Sequence, residues 1–468
     1  MIRKVVFVMV FLALSGSLVF AAQGAGSKSS DLARVEPFTN NDRVLILAPH
    51  PDDEAIGCAG VIQQALAAGA KVRITYLTNG DHNQIAFIVY EKRLTLRKGE
   101  FIYMGEVRRK EAIKAMSLLG LQEKDLVFLG YPDFGTFTIF NQFWQAQKSF
   151  RSFLTRISAV PYKEDLSFQA PYVGESVLKD MEKVISDFRP NKIFVSHPAD
   201  TNVDHRALYL FMQIALQDLS KDIPAPKIYP YLIHCLGWPR PRNYHPELRL
   251  APPQKFQDNQ IQWSEFLLTP GQLERKHQAI LCYRSQTQSS GFYLFSFARE
   301  NELFGDYAGI ELIGQGPPEQ KSTVFSGFSK MFADTHQTEE ENVEQIPEGD
   351  GVVSYALAGN VLLIRVEKTK EPVHRFSITL FLFGQSSKIP FARMPKIRIL
   401  ANEHSLKLFD GKKIIKPEGV SIESDADEIT LKVPLSILGG PEFILTSMRT
   451  YGGVLPMNTI GFRRIMVK

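Results

Sequence analysis

The sequence predicts an α/β fold with a Rossmann-like, mostly parallel sheet flanked by helices, followed by a smaller all-β domain that resembles a sandwich. Two patterns predict it. From Arg43 onward, short apolar runs alternate with helix-like segments, and this order is typical of parallel sheets with right-handed crossovers. From residue 351 the chain changes to short strand-like runs separated by Gly, Pro and Asp/Asn turns, which is typical of a β-sandwich.

The predicted strands of the first part are rich in Val, Ile and Leu without clean alternation, as in a sheet covered on both faces. They are residues 44–48, 72–77, 126–129, 192–196 and 228–233. The predicted helices are residues 54–68, 106–119, 174–188 and 205–218. Two insertions, residues 80–105 and 131–172, interrupt the alternation. Long insertions in a compact domain are usually functional or disordered. We expect them either to wall a substrate pocket or to pack as an aromatic subdomain without a ligand.

The chain is expected to divide into four segments. They are a signal peptide at 1–21, the α/β domain at 42–310, a linker at 311–350 and the β-sandwich-like domain at 351–468. The first segment has a basic start, an apolar stretch and small residues at a cleavage site, which predicts export to the periplasm or the extracellular space. An uncleaved anchor is the alternative, although the apolar stretch is shorter than the roughly 20 residues of a membrane span. No later segment predicts a span.

Composition narrows the possible partners. Lys and Arg total 54 against 50 Asp and Glu, and this near balance gives no indication of a nucleic-acid partner. The chain has 3 Cys at wide spacing, which excludes a disulfide framework or a zinc finger. The oligomeric state is not predicted.

The stretch Pro49 to Glu54 (PHPDDE) carries the strongest chemical signal. It places a His and three successive carboxylates at the exit of a buried strand. Charges at the edge of a core are penalised unless they are paired, hydrogen-bonded or bound to metal. The simplest interpretation is a metal site with His50 and Asp53 as ligands and one carboxylate left to act on water. The alternative is a helix start, because acidic residues in the first turn complement the helix dipole.

A second stretch, Ser196 to His205 (SHPADTNVDH), also follows a predicted strand and precedes a helix. In parallel sheets, chemistry collects beyond the carboxyl ends of the strands, so His50 and His197 are expected on the same rim. With His205 as a third ligand, the set of two imidazoles and one carboxylate suits tetrahedral Zn²⁺ and leaves a position for water. Bound zinc lowers the pKa of that water to about 7. Fe²⁺ or another divalent ion fits the same donors.

These motifs resemble the PIG-L / LmbE-like family of zinc-dependent N-deacetylases, over roughly residues 42–305. Supporting pieces stand in the family's order: Thr78-Asn79-Gly80, Arg108 with Glu111, Leu129 to Asp133, and Lys276 with Tyr283, Ser285 and Gln286. The resemblance implies that His50, Asp53 and His205 bind zinc and that Asp52 is the general base that activates a zinc-bound water. It implies that Asp204 orients a ligand or the base.

The sequence departs from the family at Asn202, where many members carry a His that stabilises the oxyanion. An Asn amide can donate a hydrogen bond to an oxyanion. His197 is the other candidate for this catalytic role, or else a structural His bonded to the backbone. Arg108 either holds a substrate oxygen or pairs with Glu111, and Asp133 either binds sugar hydroxyls or caps its turn.

The predicted function is therefore a metal-dependent hydrolase that removes N-acetyl groups from N-acetylglucosamine-type sugars or glycoconjugates. The alternatives are a related zinc amidase acting on another acyl-amine, and a noncatalytic glycan-binding protein with a degenerate site. The presence of Asp52 with all three proposed ligands argues against the last. The aromatic insertions fit a stacked sugar and an acyl chain equally well. The role of the C-terminal domain stays open between carbohydrate binding, structural support and docking.

Overall fold

The computed structural model describes residues 32–92, 97–256, 261–313, 329–332, 352–368, 376–425, 427–453 and 455–468. The predicted signal peptide at 1–21 lies outside the described residues, and so does most of the predicted linker at 311–350. Residues Ala33–Lys468 form one compact unit, within which the domain boundaries at 310 and 351 stay predictions.

The predicted α/β part is present, and its strands match the predicted ones closely. The strands are β1 (Ala33–Arg34), β2 (Arg43–Ala48), β3 (Lys71–Thr78), β4 (Leu126–Tyr131), β5 (Lys192–Ser196), β6 (Lys227–Tyr231), β7 (Ile261–Leu267) and β8 (Asn301–Tyr307). Among the described residues they form one sheet in the order β1-β7-β8-β6-β5-β2-β3-β4. Strands β2 to β6 pair in parallel, as predicted, whereas β8 runs antiparallel to β6 and β7. The mixed sheet confirms the predicted fold class.

Helices flank this sheet, four of them close to the predicted positions. The helices are α1 (Asp53–Ala67), α2 (Gln84–Glu91), α3 (Lys98–Leu118), α4 (Thr136–Gln142), α5 (Gly174–Phe188), α6 (Val203–Asp218), α7 (Pro270–Leu281) and α8 (Arg284–Leu294). Helix α3 begins well before the predicted start at 106, in a stretch that contains Gly105. A Cβ at Gly105 would lie 2.1 Å from the hydroxyl of Tyr162, so close packing, not a helix end, explains this glycine.

The C-terminal part is a β-sandwich, as predicted. Its strands are β9 (Ile310–Leu312), β10 (Ser329–Phe332), β11 (Val352–Ala358), β12 (Val361–Glu367), β13 (Phe376–Gln385), β14 (Lys396–Asn402), β15 (Ser405–Asp410), β16 (Lys413–Ile415), β17 (Ser421–Ser424), β18 (Glu428–Pro434), β19 (Phe443–Gly452) and β20 (Leu455–Val467). In the described part of the chain they form the sheets β10-β11-β12-β18-β17 and β16-β15-β14-β13-β19-β20-β9. Ile364 and Leu431 of the first sheet share a core with Leu380 and Ile399 of the second, so the sheets pack face to face.

The β-sandwich shares a second hydrophobic core with the α/β part. Phe383 of β13 and the nearby Phe391 pack with Phe140 of α4 and Phe211 of α6. The ring centroid of Phe140 lies 4.9 Å from that of Phe211 and 5.2 Å from that of Phe383. Much of the aromatic insertion at 131–172 therefore packs in this shared core, which is one of its two expected roles. Where the structure describes the chain, no helix combines the length and the apolar character that crossing a membrane requires.

Candidate active site

The two sequence motifs meet at the carboxyl edge of two neighbouring strands. His50 and Asp52 follow β2, His205 lies in the first turn of α6 after β5, and β2 pairs in parallel with β5. The chain runs from β2 to β3 and β4 on one side of β2, and then returns to β5 and β6 on the other side. Ligands bind at such a reversal of strand order, because the crossovers there diverge and open a crevice.

Three buried side chains can hold a metal ion at this reversal. Oδ2 of Asp53 lies 3.2 Å from Nδ1 of His50 and 3.2 Å from Nε2 of His205. A tetrahedral Zn²⁺ with bonds of about 2.0–2.1 Å separates its donor atoms by about 3.3 Å. All three side chains are buried, and burying two imidazoles around one carboxylate is favourable when a cation joins them. The donor set therefore fits a divalent ion, with His50, Asp53 and His205 as its candidate ligands.

The other ring nitrogen of His50 faces two carboxylates. Its Nε2 lies 3.1 Å from Oδ1 of Asp133 and 3.4 Å from Oδ2 of Asp204. Asp204 also accepts hydrogen bonds from the backbone N–H of Phe134 at 2.5 Å, the backbone N–H of Thr136 at 3.1 Å and the Thr136 hydroxyl. His50, Asp133 and Asp204 form a second group with metal-ligand spacing. Because Asp204 is already saturated by protein donors, we interpret this group as one that fixes the ring of His50.

Asp200 fixes the ring of His205 in the same way, and it was not predicted from the sequence. Its Oδ2 lies 3.1 Å from Nδ1 of His205 and accepts the backbone N–H groups of Ile233 at 3.1 Å and His234 at 2.9 Å. Although burial raises its pKa, the combined effect of His205, His234 and the backbone N–H of Asn202 lowers the pKa of Asp200 to about 2. A buried carboxylate at the remote nitrogen of a ligand His holds the ring in place. The available signal was a second carboxylate, besides Asp204, in the SHPADTNVDH stretch.

Replacing Asp200 by Asn is expected to weaken metal binding by about 10–100-fold, because the neutral amide orients His205 less firmly. Competition with a chromophoric chelator measures the dissociation constant. Asp187, an exposed carboxylate paired with Lys183, supplies the matched control Asp187→Asn. An unchanged metal affinity in Asp200→Asn would show that His205 needs no such partner.

Asp52 lies at the start of α1 and lines the same cavity as the candidate ligands His50 and Asp53. Nη2 of Arg108 lies 3.2 Å from its Oδ2 and also donates to the carbonyl of Pro51 at 2.6 Å, while Nη1 donates to the carbonyl of Gly80 at 3.1 Å. Burial raises the pKa of Asp52 to about 7, although Arg108 opposes this. A carboxylate with a pKa near 7 is suited to take and return a proton. Arg108 is buried and positions Asp52, and its predicted substrate contact stays a prediction.

Glu54 is occupied elsewhere. Its carboxylate accepts the backbone N–H of Asp52 at 3.0 Å and the hydroxyl of Tyr283, and it does not line the cavity. Burial raises the pKa of Glu54 to about 8. Of the three successive carboxylates, Asp53 thus belongs to the candidate metal site, Glu54 supports the turn, and Asp52 is left facing the cavity.

Of the remaining predicted site residues, Asp133 and Asn202 line the cavity and His197 does not. Asp133 lines the cavity and accepts the backbone N–H of His82 at 3.1 Å. Asn202 also lines the cavity, and its Oδ1 caps α6 by accepting the backbone N–H of Asp204 at 2.9 Å. His197 is fully buried outside the cavity lining, where its Nδ1 accepts the backbone N–H of Ala199 at 3.1 Å. The structure does not bring His197 to the cavity, which favours its structural alternative.

The cavity above the cluster has a volume of about 790 Å³. His50, Asp52 and Asp53 lie among its lining residues. Large apolar side chains that are strongly exposed, up to 73% for Ile85, also line it. They are Ile85, Phe134, Phe153, Leu236 and Phe292. Both insertions, residues 80–105 and 131–172, contribute side chains to this lining. Part of each insertion therefore forms a wall of the cavity, as expected.

His234 is a second cavity residue that the sequence analysis missed. It follows β6 by a few residues and lines the cavity together with the metal cluster. Its ring centroid lies 4.8 Å from that of His205. Burial lowers the pKa of His234, although Asp200 opposes this. In the sequence, the only indication of a role for His234 was its position directly after the predicted strand at 228–233.

Residues 45–216 match the family model described as PIG-L, GlcNAc-PI de-N-acetylase. These residues are a PIG-L domain. The domain contains all three candidate metal ligands and Asp52, and it confirms the resemblance predicted from the motifs. PIG-L deacetylases are metal-dependent, and the buried His/Asp cluster of this PIG-L domain fits a metal. The match and the cluster together support a metal-dependent deacetylase.

Several solved structures are similar to about half of this chain. A conserved protein from Thermus thermophilus is 21% identical, covering 55% of this chain and 84% of its own, with a TM-score of 0.32. N,N'-diacetylchitobiose deacetylase from Pyrococcus horikoshii is 20% identical, covering 56% and 82%, with a TM-score of 0.33. The 4-carboxy-2-hydroxymuconate hydratase of Pseudomonas putida is 16% identical, covering 55% and 82%, with a TM-score of 0.34. No curated protein matches the chain.

Proposed function

We propose that this protein is a zinc-dependent N-deacetylase that hydrolyses the acetamide group of N-acetylglucosamine-type sugars or glycoconjugates. The observation that carries the proposal is the position of Asp52, a buried carboxylate that lines the cavity beside the group of His50, Asp53 and His205. Fe²⁺ or another divalent ion fits the same donors.

The chain's own residues account for the proton transfers and the positioning. When bound, a divalent ion supplies a Lewis acid that polarises the amide carbonyl and acidifies water. Asp52 takes a proton from the attacking water and returns it to the departing amine. Arg108 keeps the carboxylate of Asp52 in place through its ion pair at 3.2 Å. Asp133, Asp204 and Asp200 hold the imidazoles in fixed orientations, so little reorganisation is needed when the substrate binds.

The cavity supports a substrate larger than the acetamide itself. Its volume of about 790 Å³ falls within the about 300–1,000 Å³ of typical ligand pockets. The lining combines the polar side chains of the candidate metal site with aromatic side chains, of which Phe153 and Phe292 are 69% and 55% exposed. An N-acetylated sugar that carries an apolar group, or further sugar rings stacked on these aromatic faces, matches this distribution. We propose that the protein meets this substrate after export to the periplasm or extracellular space, on the basis of its N-terminal 21 residues.

Acetate release from a panel of N-acetylated sugars and glycoconjugates tests the proposal. We expect release that a chelator abolishes and that added Zn²⁺ or Fe²⁺ restores. The same panel should include amides with larger acyl groups. Hydrolysis of the larger amides alone would indicate an amidase of different specificity, and glycan binding without any hydrolysis would contradict the proposal.

A further inference from the structure

Hydrolysis of an amide places negative charge on the carbonyl oxygen, and hydrogen-bond donors aimed at that oxygen lower the barrier. Two of the candidate donors beside the cluster are engaged at least in part by the protein itself. Both Nη atoms of Arg108 are engaged, with Asp52, Pro51 and Gly80. Asn202 caps α6 with its Oδ1 and keeps only its amide nitrogen for another partner. The imidazole of His234 is another candidate donor, and it lies directly against the candidate ligand His205.

The main chain of His234 is fixed to the loop that precedes His205. Its N–H donates to Oδ2 of Asp200 at 2.9 Å. Its carbonyl accepts the backbone N–H of Thr201 at 3.0 Å and the Thr201 hydroxyl at 3.2 Å. Asp200 also contacts His205, so one carboxylate connects a candidate metal ligand with the position of His234. The residue is therefore held at a fixed place relative to the cluster.

The ring of His234 is confined between two other rings. Its centroid lies 4.8 Å from that of His205 at an interplanar angle of 71°, and 6.1 Å from that of Tyr293 at 21°. The Tyr293 hydroxyl donates to the carbonyl of Ile233 at 2.6 Å, which fixes the stacking partner. No hydrogen bond joins the ring nitrogens of His234 to any group that the structure describes. The cavity is the direction left for them, and His234 lines it.

We propose that His234 is a catalytic residue that donates a hydrogen bond to the carbonyl oxygen of the scissile amide, beside the amide nitrogen of Asn202. A neutral imidazole N–H is sufficient, so no change in the charge of His234 is required. The inference rests on the proposed deacetylase function. It adds a residue outside the matched segment 45–216, from the loop after β6.

Kinetics of His234→Ala and His234→Gln test the inference. We expect His234→Ala to lower kcat by about 10²–10³-fold, the typical effect of losing one such donor, with KM changed less than about threefold. His234→Gln keeps an N–H donor and should recover part of the loss. Metal content and the melting temperature should match the wild type in both variants. His245→Ala, which removes a surface His paired with Glu247, is the matched control.

A binding measurement separates this role from a structural one. A methylphosphonamidate analogue of N-acetylglucosamine carries a tetrahedral, anionic group in place of the acetamide. Calorimetry should show about 10²–10³-fold weaker binding of this analogue to His234→Ala, while the affinity for the planar amide stays the same.

Each outcome decides a different question. If the wild type releases acetate and His234→Ala does so at the same rate, the inference is wrong and the proposed function stands. If Asn202→Ala has the large effect and His234→Ala has none, Asn202 is the donor. If His234→Ala loses metal or stability and His234→Gln recovers neither rate nor analogue binding, His234 is structural. If the wild type releases no acetate from any substrate, both proposals fall.

Discussion

Replacing Asp52 by Asn is expected to lower kcat for acetate release by about 10²–10⁴-fold, the usual contribution of a general acid–base group. Asn keeps the size of the side chain but cannot accept a proton from water. The candidate ligands His50, Asp53 and His205 remain, so the variant should still bind one metal ion per chain. Steady-state kinetics together with metal analysis by plasma mass spectrometry check both parts of the expectation.

Two further measurements make the Asp52 result interpretable. Arg108 loses its charged partner in this variant but keeps its hydrogen bonds to the carbonyls of Pro51 and Gly80, and a melting curve shows whether the fold tolerates this. Asp187→Asn provides an exposed control of the same chemistry. Wild-type activity in a metal-loaded Asp52→Asn variant would refute the proposed base. It would leave the metal cluster in place without an assigned proton acceptor.

Replacing His205 by Ala is expected to remove both the metal and the activity. His205 is fully buried and offers one of the three candidate ligand atoms. The affinity loss should exceed the about 10–100-fold that follows removal of a residue that only orients a ligand. We expect less than about one tenth of the wild-type metal content after dialysis, measured on protein of verified fold by circular dichroism.

The comparison of His205→Ala with Asp200→Asn gives this prediction its control. Asp200 contacts His205 without belonging to the candidate ligand set, so its variant should be affected less. His245→Ala should keep full metal content. Full metal content in His205→Ala would show that the ion binds elsewhere, and the second group of His50, Asp133 and Asp204 would then be the next candidate.

The elements that carry the site could be predicted because their signals are local. The apolar runs before His50 and His197 correspond to β2 and β5, and the parallel pairing of these strands follows from the alternation of strands and helices. Because β2 and β5 end at the same edge of the sheet, the two motifs that follow them are expected to lie close together. The structure brings His50, Asp53 and His205 together there. The predicted roles of these residues stay predictions until metal is measured.

The contacts that refine the site depend on loop conformations that no local pattern specifies. Asp200 reaches His205 and the backbone of His234 only because the loop after β5 folds back towards the loop after β6. Arg108 is separated from Asp52 by most of the first two strand–helix units, and their pairing required the packed structure. The antiparallel strands β7 and β8 alternate polar and apolar residues weakly, which explains why the sequence analysis did not identify them.

Asp52 has a backbone φ of 124°, in the region that favours glycine. A side chain held there costs on the order of 1–3 kcal/mol, so the fold tolerates the strain to keep a carboxylate at this position. Glycine at 52 would relieve the strain and eliminate the acid–base group in one step. Laboratory evolution of this protein for heat resistance would therefore enrich inactive clones at this codon, unless every round also selects for turnover.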